Sequence, residues 1–411
     1  MASGNGGQGT LLPGHAPRSD IEGWSTVPIS PGAPTPHAFA VGAPDTPHER
    51  SATRSRRMLM VGGVLIVVVL IVAAVVLASE TGVGKPISAQ TLDSGPYSVR
   101  FLAVGDWGRG PGQEGHDNQT AVAQLMGQVA AVQPVEFVVS TGDNFYPNGL
   151  TSYNDPAFTD TFTKAYTAKS LQVPWHAVLG NHDYCDSAPG CNTTAGCPNS
   201  PLHQLNISLA NLDPRWHCER SYTHKTASGR VELFFIDTSP FLQRYYTNAG
   251  DEDISWRLCP GGLMEQSWQA QLLELERHLN ASTAEWKLAV GHHPSYSNGE
   301  HGNNSDIITN LEPLFWRYNV AAYFVGHDHN LELLSVPAPG GSARSYAVVV
   351  SGGGSKTNRP QVGSAYSQYY HPDQGFVGAT VTQDTLRLEY YTTKGGEKAA
   401  FSTTIKRPTA S

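Results

Sequence analysis

Five short groups of Asp, Asn and His side chains could bind metal ions, and each group follows an apolar run of the chain. A glycine opens every group and lets the backbone turn sharply out of the run before it. Carboxylate, amide and imidazole ligands suit hard or borderline cations, and the absence of cysteine from all five groups argues against a cysteine-zinc site. The groups are Gly105–Gly108, Gly142–Tyr146, Gly180–Asp183, Gly291–Pro294 and Gly326–His329.

These side chains indicate a two-metal centre that acts on phosphate esters. Two cations about 3.5–4 Å apart need a shared anion, and a carboxylate such as Asp143 can bridge them. A mixed set of oxygen and nitrogen ligands fits the hydrolysis of a phosphate ester, because the attacking and leaving oxygens both need charge stabilisation. The candidate ligands of this kind are Asp106, Asp143, Asn181, His292, His327 and His329.

The apolar runs predict β-strands, and the amphipathic stretches between them predict helices. Strands that alternate with helices indicate an α/β domain. Because such domains bind ligands beyond the carboxyl ends of their strands, five strand-end loops can converge on one crevice. The predicted strands are Val99–Val104, Phe137–Ser140, Trp175–Leu179, Leu288–Val290 and Ala321–Val325, and the predicted helices are Asn118–Val132, Glu265–Asn280 and Ile307–Trp316.

In this order the five groups resemble the calcineurin-like metallophosphoesterases. Gly105–Gly108 together with Gly142–Tyr146 resembles the purple acid phosphatases of the small, tartrate-resistant type, and the resemblance covers residues 97–407. It implies a four-layer α/β/β/α sandwich. It also implies an acid phosphatase that hydrolyses phosphate monoesters by attack of a metal-held hydroxide at a binuclear Fe(III)–M(II) centre. The substrate would be a small molecule or a phosphoprotein.

The resemblance also implies which residue holds which metal. Most of the superfamily has Asp-x-His in the first group, but here Trp107 and Gly108 follow Asp106, and the purple acid phosphatases supply the Tyr146 phenolate instead. An anionic phenolate favours Fe(III), and the ligands of the second site suit Fe, Zn or Mn. By this pattern the first metal takes Asp106, Asp143, Tyr146 and His329, and the second takes Asp143, Asn181, His292 and His327.

Two further histidines resemble the family's substrate-facing residues. His182 follows a ligand directly, and we expect it to hold the phosphate and to protonate the departing alkoxide. His301 lies nine residues after His292 and resembles the second substrate-facing histidine on the rim. His293 stays outside the ligand set because the family is not restricted to histidine there.

Two other functions compete with this interpretation. A metallophosphodiesterase of the same superfamily, cleaving a nucleotide or a phospholipid head-group diester, would use the same core. The missing Asp-x-His histidine and the presence of Tyr146 argue against it. A non-catalytic, membrane-tethered domain is the alternative from another class, but such relics usually lose ligands, and all are present here.

The N-terminal part of the chain predicts a membrane anchor. Residues 1–57 are rich in Gly, Pro and Ser and are expected to form a disordered tail. Residues 58–78 carry no charge, and 21 residues cover about 31 Å as a helix, which spans a bilayer. Residues 79–96 are expected to form a stalk before the catalytic domain, residues 97–407.

Charge and modification signals indicate the orientation of that anchor. Four arginines at residues 50–57 stand directly before the apolar span, so the tail is expected in the cytoplasm and the large domain outside or in a lumen, as in a type II membrane protein. Cleavage near Ala78 would instead give a secreted, lysosomal or vacuolar protein. Five cysteines and five Asn-x-Ser/Thr sequons, all after the span, agree with an oxidising, glycosylating compartment. The net charge of −8, without a Lys/Arg run, argues against nucleic-acid binding.

Overall fold

The computed structural model describes residues 96–185, 197–205, 211–247, 259–341, 344–357, 363 and 365–408. The predicted tail, the predicted membrane span and the stalk up to residue 95 lie outside these residues. Within the described ranges, no helix is both long and apolar enough to cross a membrane. All described residues belong to one compact unit, Ala89–Ser411.

The strands follow the apolar runs of the sequence, and all five predicted strands are present. β3 ends earlier than predicted, at Ala177, and the strand over residues 286–290 begins earlier. The strands are β1 (Ser98–Val104), β2 (Phe137–Ser140), β3 (Trp175–Ala177), β4 (Trp216–Cys218), β5 (Ser221–Lys225), β6 (Val231–Ile236), β7 (Trp286–Val290), β8 (Val320–Val325), β9 (Leu331–Pro337), β10 (Ser345–Ser351), β11 (Ser367–His371), β12 (Gly375–Thr382), β13 (Thr385–Thr392) and β14 (Phe401–Lys406).

The helices differ from prediction at two places. The predicted helix 307–316 is divided at Leu311, because Pro313 lacks the N–H that would continue the hydrogen-bond ladder. The predicted helix 265–280 begins only at Trp268, where the Ser267 side chain accepts a hydrogen bond from the Ala270 N–H. The helices are α1 (His116–Val132), α2 (Pro156–Phe158), α3 (Leu202–Leu205), α4 (Arg244–Thr247), α5 (Trp268–Ala281), α6 (Ser305–Asn310) and α7 (Glu312–Arg317).

Two seven-stranded sheets form the centre of the domain. Their orders are β14-β13-β12-β1-β2-β3-β4 and β11-β9-β10-β8-β7-β6-β5. In the first sheet β1 to β4 run parallel, and in the second β6, β7, β8 and β10 run parallel. The carboxyl ends of the parallel strands therefore lie at one edge of each sheet, which is where an α/β fold binds its ligands.

Alternate residues of the strands face two different apolar layers. Phe101, Val139 and Phe324 point into the core between the two sheets, where they are buried. Leu102 and Val138 point the other way and join a second buried cluster, to which helices α1, α5 and α7 contribute. Strands buried on both faces are typical of parallel sheets covered by helices. The predicted α/β class with two sheets is confirmed.

Candidate metal centre

The five predicted groups follow the carboxyl ends of β1, β2, β3, β7 and β8, and the fold brings them to one place. Three of their residues have left-handed backbone conformations, with φ of 59° at Asp106, 52° at Asp143 and 68° at His327. Such conformations cost a non-glycine residue free energy and are found where a site requires them. They turn the chain out of each strand within one or two residues.

Glycines beside the ligands are required by space. A Cβ atom on Gly180 would lie 2.1 Å from Asp143 Oδ1, and one on Gly326 would lie 2.4 Å from Asp106 Oδ2. Both distances are far shorter than any van der Waals contact. Gly180 and Gly326 therefore each leave room for a carboxylate of a neighbouring loop.

The first cluster of ligand atoms surrounds the Tyr146 hydroxyl. Tyr146 Oη lies 2.9 Å from Asp143 Oδ2, 3.1 Å from His329 Nε2 and 3.3 Å from Asp106 Oδ1. His329 Nε2 lies 3.5 Å from Asp106 Oδ1, and all four residues are buried. One phenolic proton cannot satisfy two carboxylates, so this arrangement of buried anionic oxygens fits a cation held among them.

The surroundings of Tyr146 oppose its ionisation in the absence of a cation. Burial, followed by the charges of Asp143 and Asp106, raises the pKa of Tyr146 well above its usual value. The guanidinium of Arg109, whose carbon lies 3.8 Å from the Tyr146 ring centroid, opposes that rise. A multivalent cation would reverse the balance, because a coordinated phenol loses its proton as other ligands do.

The second cluster is built around His292. His292 Nε2 lies 3.1 Å from Asn181 Oδ1 and 3.4 Å from Asp143 Oδ2. His292 Nδ1 lies 2.9 Å from the Thr141 carbonyl oxygen, which can only accept, so Nδ1 carries a hydrogen and Nε2 is the nitrogen that would ligate a metal. Burial lowers the pKa of His292, but Asp143 outweighs it and raises that pKa to about 9, so a metal would displace the Nε2 proton. A ring nitrogen of His327 lies within 4.8 Å of one of His292. These atoms fit a second cation.

Asp143 belongs to both clusters, as a bridging ligand must. Its Oδ2 faces Tyr146 and His292, and its Oδ1 accepts the backbone N–H of His182 at 2.9 Å. Burial alone would raise the pKa of Asp143, but His292 and His182 hold it well below its usual value. Asp143 is therefore ionised in the folded chain.

His293 lies within metal-binding distance of His292 and His327, but its ring nitrogens are already occupied. Its Nδ1 lies 2.8 Å from Thr238 Oγ1, and its Nε2 lies 2.8 Å from Tyr245 Oη. Two hydrogen-bonded ring nitrogens leave no lone pair for a metal. This agrees with leaving His293 outside the ligand set.

The two histidines expected to face substrate lie at the edge of the clusters. His182 Nδ1 lies 2.7 Å from the Pro147 carbonyl oxygen, and its ring centroid is 4.5 Å from that of Tyr146. His301 Nδ1 lies 2.7 Å from Asp328 Oδ1, and its ring centroid is 4.0 Å from that of His327. In both, Nδ1 is fixed as the donor, because its partner is an acceptor.

Asp183 organises two of the loops, a role that the sequence did not predict. Its carboxylate accepts hydrogen bonds from the N–H groups of Gly180 at 2.8 Å, Asn144 at 3.0 Å and Phe145 at 3.2 Å. The side chain of Gln204 on α3 also donates to it at 2.7 Å. The sequence contains one indication of this role, namely that Asp183 lies in the group Gly180–Asp183 with the candidate ligand Asn181.

Asp328 and Glu332 position the loop that carries His301. Asp328 Oδ1 accepts both the backbone N–H of His301 at 3.0 Å and its ring Nδ1–H. Buried Glu332 accepts the backbone N–H of Asn298 at 2.9 Å. Asp328 stands between two candidate ligands in sequence, whereas nothing in the sequence distinguishes Glu332.

Comparison with known proteins agrees with this geometry. The Calcineurin-like phosphoesterase family matches residues 99–331. Purple acid phosphatase 3 of Arabidopsis thaliana is 39% identical over 299 residues, which cover 72% of this chain and 74% of the relative. Tartrate-resistant acid phosphatase type 5 of Homo sapiens is 27% identical over 332 residues, which cover 77% of this chain and 93% of the relative.

Solved structures show the same fold. GAP50, the anchor in the inner membrane complex of Plasmodium, is 21% identical with a TM-score of 0.59, over 76% of this chain and 90% of that one. The purple acid phosphatase PPD1 from yellow lupin seeds is 19% identical with a TM-score of 0.53, over 76% of this chain and 54% of that one. At these identities the likeness concerns the fold alone.

The chain is thus a calcineurin-like phosphoesterase, and its metal-ligand loops lie at the carboxyl ends of strands from both sheets. Two of its relatives are purple acid phosphatases that are identical to it at more than a third of the aligned positions, over most of both chains. Within the class it belongs to the purple acid phosphatases, a family of phosphomonoester hydrolases with a binuclear metal centre. The predicted family, enzyme class and reaction are confirmed.

Proposed function

We propose that this enzyme hydrolyses phosphate monoesters at a centre of one Fe(III) and one divalent Fe, Zn or Mn ion. The observation that carries the ferric assignment is Tyr146 Oη, 2.9–3.3 Å from two carboxylates and one imidazole. A phenolate and two carboxylates form a hard, strongly anionic ligand set, which favours a trivalent ion. Asn181, His292 and His327 are neutral ligands beside the shared Asp143, so the second site suits a divalent ion.

The chain's own residues have assignable tasks in the reaction. When bound, the metal pair would activate water as the nucleophile and neutralise phosphate oxygens. Asp143 would bind both metals, and Asn181 would bind the second one. His182 and His301, each fixed through Nδ1, would contact substrate through Nε2, where they can hold a phosphate oxygen and give the leaving alkoxide its proton.

A visible spectrum with a metal count tests the ferric assignment. We expect two metals per chain and a tyrosinate-to-Fe(III) charge-transfer band, which Tyr146→Phe loses. Tyr166→Phe is the matched control, because the buried Tyr166 hydroxyl has no hydrogen-bond partner among the described residues. A band that persists in Tyr146→Phe, or wild-type enzyme without iron, would contradict the assignment.

A substrate comparison tests the monoester preference. We expect p-nitrophenyl phosphate to be hydrolysed faster than bis(p-nitrophenyl) phosphate, and Asp143→Asn to lose both metals and turnover. Asp143 is shared by both clusters, so its loss removes the bridge. Full activity in Asp143→Asn would overturn the metal assignment, and a preference for the diester would favour the phosphodiesterase alternative.

We also propose that residues 58–78 anchor the enzyme with its catalytic domain in a lumen or outside the cell, or that cleavage near Ala78 releases it. Support comes from the apolar span, the arginines before it and the sequons. The sequon residues Asn280 and Asn303 are exposed, and Cys197 is disulfide-bonded, whereas Cys191 lies outside the described residues. Glycosidase sensitivity and carbonate extraction of membranes test this, and an unglycosylated, protease-accessible domain in intact microsomes would refute it.

A further inference from the structure

We infer that Arg244 binds a second anionic group on the alcohol side of the substrate, so that small phosphate monoesters whose alcohol carries a carboxylate or a further phosphate are preferred. The inference rests on the proposed function in one respect, that His327 is a metal ligand. It goes beyond that function because it names what selects among phosphate monoesters.

Arg244 stands at the start of α4, next to the second cluster of ligands. Its Nη2 lies 3.3 Å from His327 Nε2 and 3.3 Å from Tyr245 Oη. Tyr245 is itself held by His293, whose Nε2 lies 2.8 Å from the Tyr245 hydroxyl. The buried Tyr245 therefore holds the Arg244 guanidinium beside the metal centre, and Arg244 itself is exposed.

The contact between Arg244 and His327 cannot persist once His327 ligates a metal. A guanidinium only donates hydrogen bonds, so it needs the Nε2 lone pair. A neutral imidazole has one lone pair and one N–H, and a metal takes the lone pair whichever nitrogen it binds. In the metal-loaded enzyme Arg244 thus loses this partner and can donate to another acceptor, and among the described residues it forms no ion pair with a carboxylate within 4.0 Å.

A small cavity beside the centre offers the place for that acceptor. It has a volume of about 180 Å³ and is lined by Arg244, His301, His327, Asn303, Ser305 and Asp306, among others. Sites for drug-sized ligands usually measure about 300–1,000 Å³, so the part of a substrate that this cavity can enclose has the size of a short alcohol.

Arg244 is the permanent cation of the cavity lining, so it is the group that would bind an anion there. Asp306 is the acidic residue of the lining, and its Oδ2 already accepts the backbone N–H of Gln243 at 2.9 Å. Asn303 and Ser305 add uncharged polar groups. Arginine presents a planar fork that matches a carboxylate or phosphate with two parallel hydrogen bonds, which lysine cannot do.

The test compares two substrates with the same three-carbon skeleton, 3-phosphoglycerate and glycerol 1-phosphate, which differ in carboxylate against hydroxymethyl. We expect the wild-type enzyme to prefer 3-phosphoglycerate, and Arg244→Gln to lower the ratio of the two kcat/KM values by about tenfold or more, mainly through KM. Arg244→Lys should give an intermediate ratio. Arg277→Gln, a change of an exposed arginine on α5, is the control and should leave the ratio unchanged.

Binding of compounds that cannot be hydrolysed gives a second readout. In calorimetry the wild-type enzyme should bind 2-carboxyethylphosphonate more tightly than propylphosphonate, and Arg244→Gln should lose that difference. Equal losses for both ligands would mean that Arg244 acts on the phosphoryl group, and no loss would mean that it is a surface residue; either overturns the inference. Lack of p-nitrophenyl phosphate hydrolysis by the wild-type enzyme would instead refute the proposed function, while the phosphonate comparison would still test Arg244.

Discussion

A buried histidine between the two sheets should make this phosphatase lose stability in acid. His176 on β3 lies against His224 on β5 and His217 on β4, with ring centroids 4.1 Å and 5.3 Å away. Only 8% of His176 is exposed, and neither of its ring nitrogens has a hydrogen-bond partner among the described residues. Burial, followed by the charges of the other two histidines, lowers the pKa of His176 to about 3.

The lowered pKa fixes both the direction and the size of the effect. With an ordinary pKa of 6.5 in the unfolded chain, the unfolded state binds the proton first as pH falls. The stability contributed by neutral His176 is therefore complete above pH 6.5 and is lost as pH falls from 6.5 toward 3. At about pH 4.5, two units below the ordinary value, the loss is about 2.7 kcal/mol at about 1.36 kcal/mol per unit.

Urea unfolding of His176→Leu at neutral and acid pH measures this loss. Between about pH 7 and pH 4.5, the free energy of unfolding should fall by about 2.7 kcal/mol less in the variant than in the wild-type enzyme. At neutral pH the substitution breaks no hydrogen bond among the described residues, because neither ring nitrogen of His176 has a partner there. The loss of hydrogen bonds should therefore not lower the free energy of unfolding of the variant.

Other titrating groups around the cluster define the control and the refutation. His217 Nε2 faces Glu219 Oε1 at 3.3 Å, and burial also lowers the pKa of His224. Both remain in the variant. His278→Leu, a change of a half-buried histidine on α5, should keep the wild-type pH dependence. Parallel loss of stability in His176→Leu and wild-type enzyme would refute the reasoning.

Three further predictions concern the metal centre. Gly180→Ala would put a Cβ 2.1 Å from Asp143 Oδ1, and we expect fewer than two metals per chain by elemental analysis and at least about a 100-fold loss of kcat; full metal content would contradict this. Asp328→Asn weakens the hold on the His301 ring and should raise KM by about tenfold with unchanged metal content; an unchanged KM would show that this contact does not position substrate. Chelation leaves buried Asp106 and Asp143 without a cation, so calorimetry should show a lower Tm that added metal restores, and an unchanged Tm would mean that the centre contributes nothing to stability.

The sequence predicted the five site-bearing strands because their signals are local. Each apolar run ends in a glycine and a ligand-type residue, and this pattern needs no knowledge of the rest of the chain. The division at Leu311 could also have been predicted from the sequence, since Pro313 cannot donate to the hydrogen-bond ladder of a preceding helix but is tolerated in the first turn of a new one. Strands that do not run into a group of candidate ligands, such as β6, β10, β12 and β13, were not predicted.

The supporting residues of the site could not be found in this way. Asp183 and Asp328 are the same type of residue as the candidate ligands beside them, and only the direction of the backbone decides that they bind N–H groups instead. Arg244 lies on a four-residue helix, and its place beside His327, 83 residues away, depends on how the two sheets bring α4 and the end of β8 together.

The left-handed conformations of Asp106, Asp143 and His327 set this enzyme's function against its stability. Glycine adopts such a conformation without steric cost, whereas a side chain costs on the order of 1 kcal/mol or more at each position. A laboratory selection for thermal resistance in the absence of metal would therefore favour replacing these three residues first. A selection for a more thermally stable enzyme should therefore include the metal and measure turnover in the same screen, so that variants without the metal ligands are rejected.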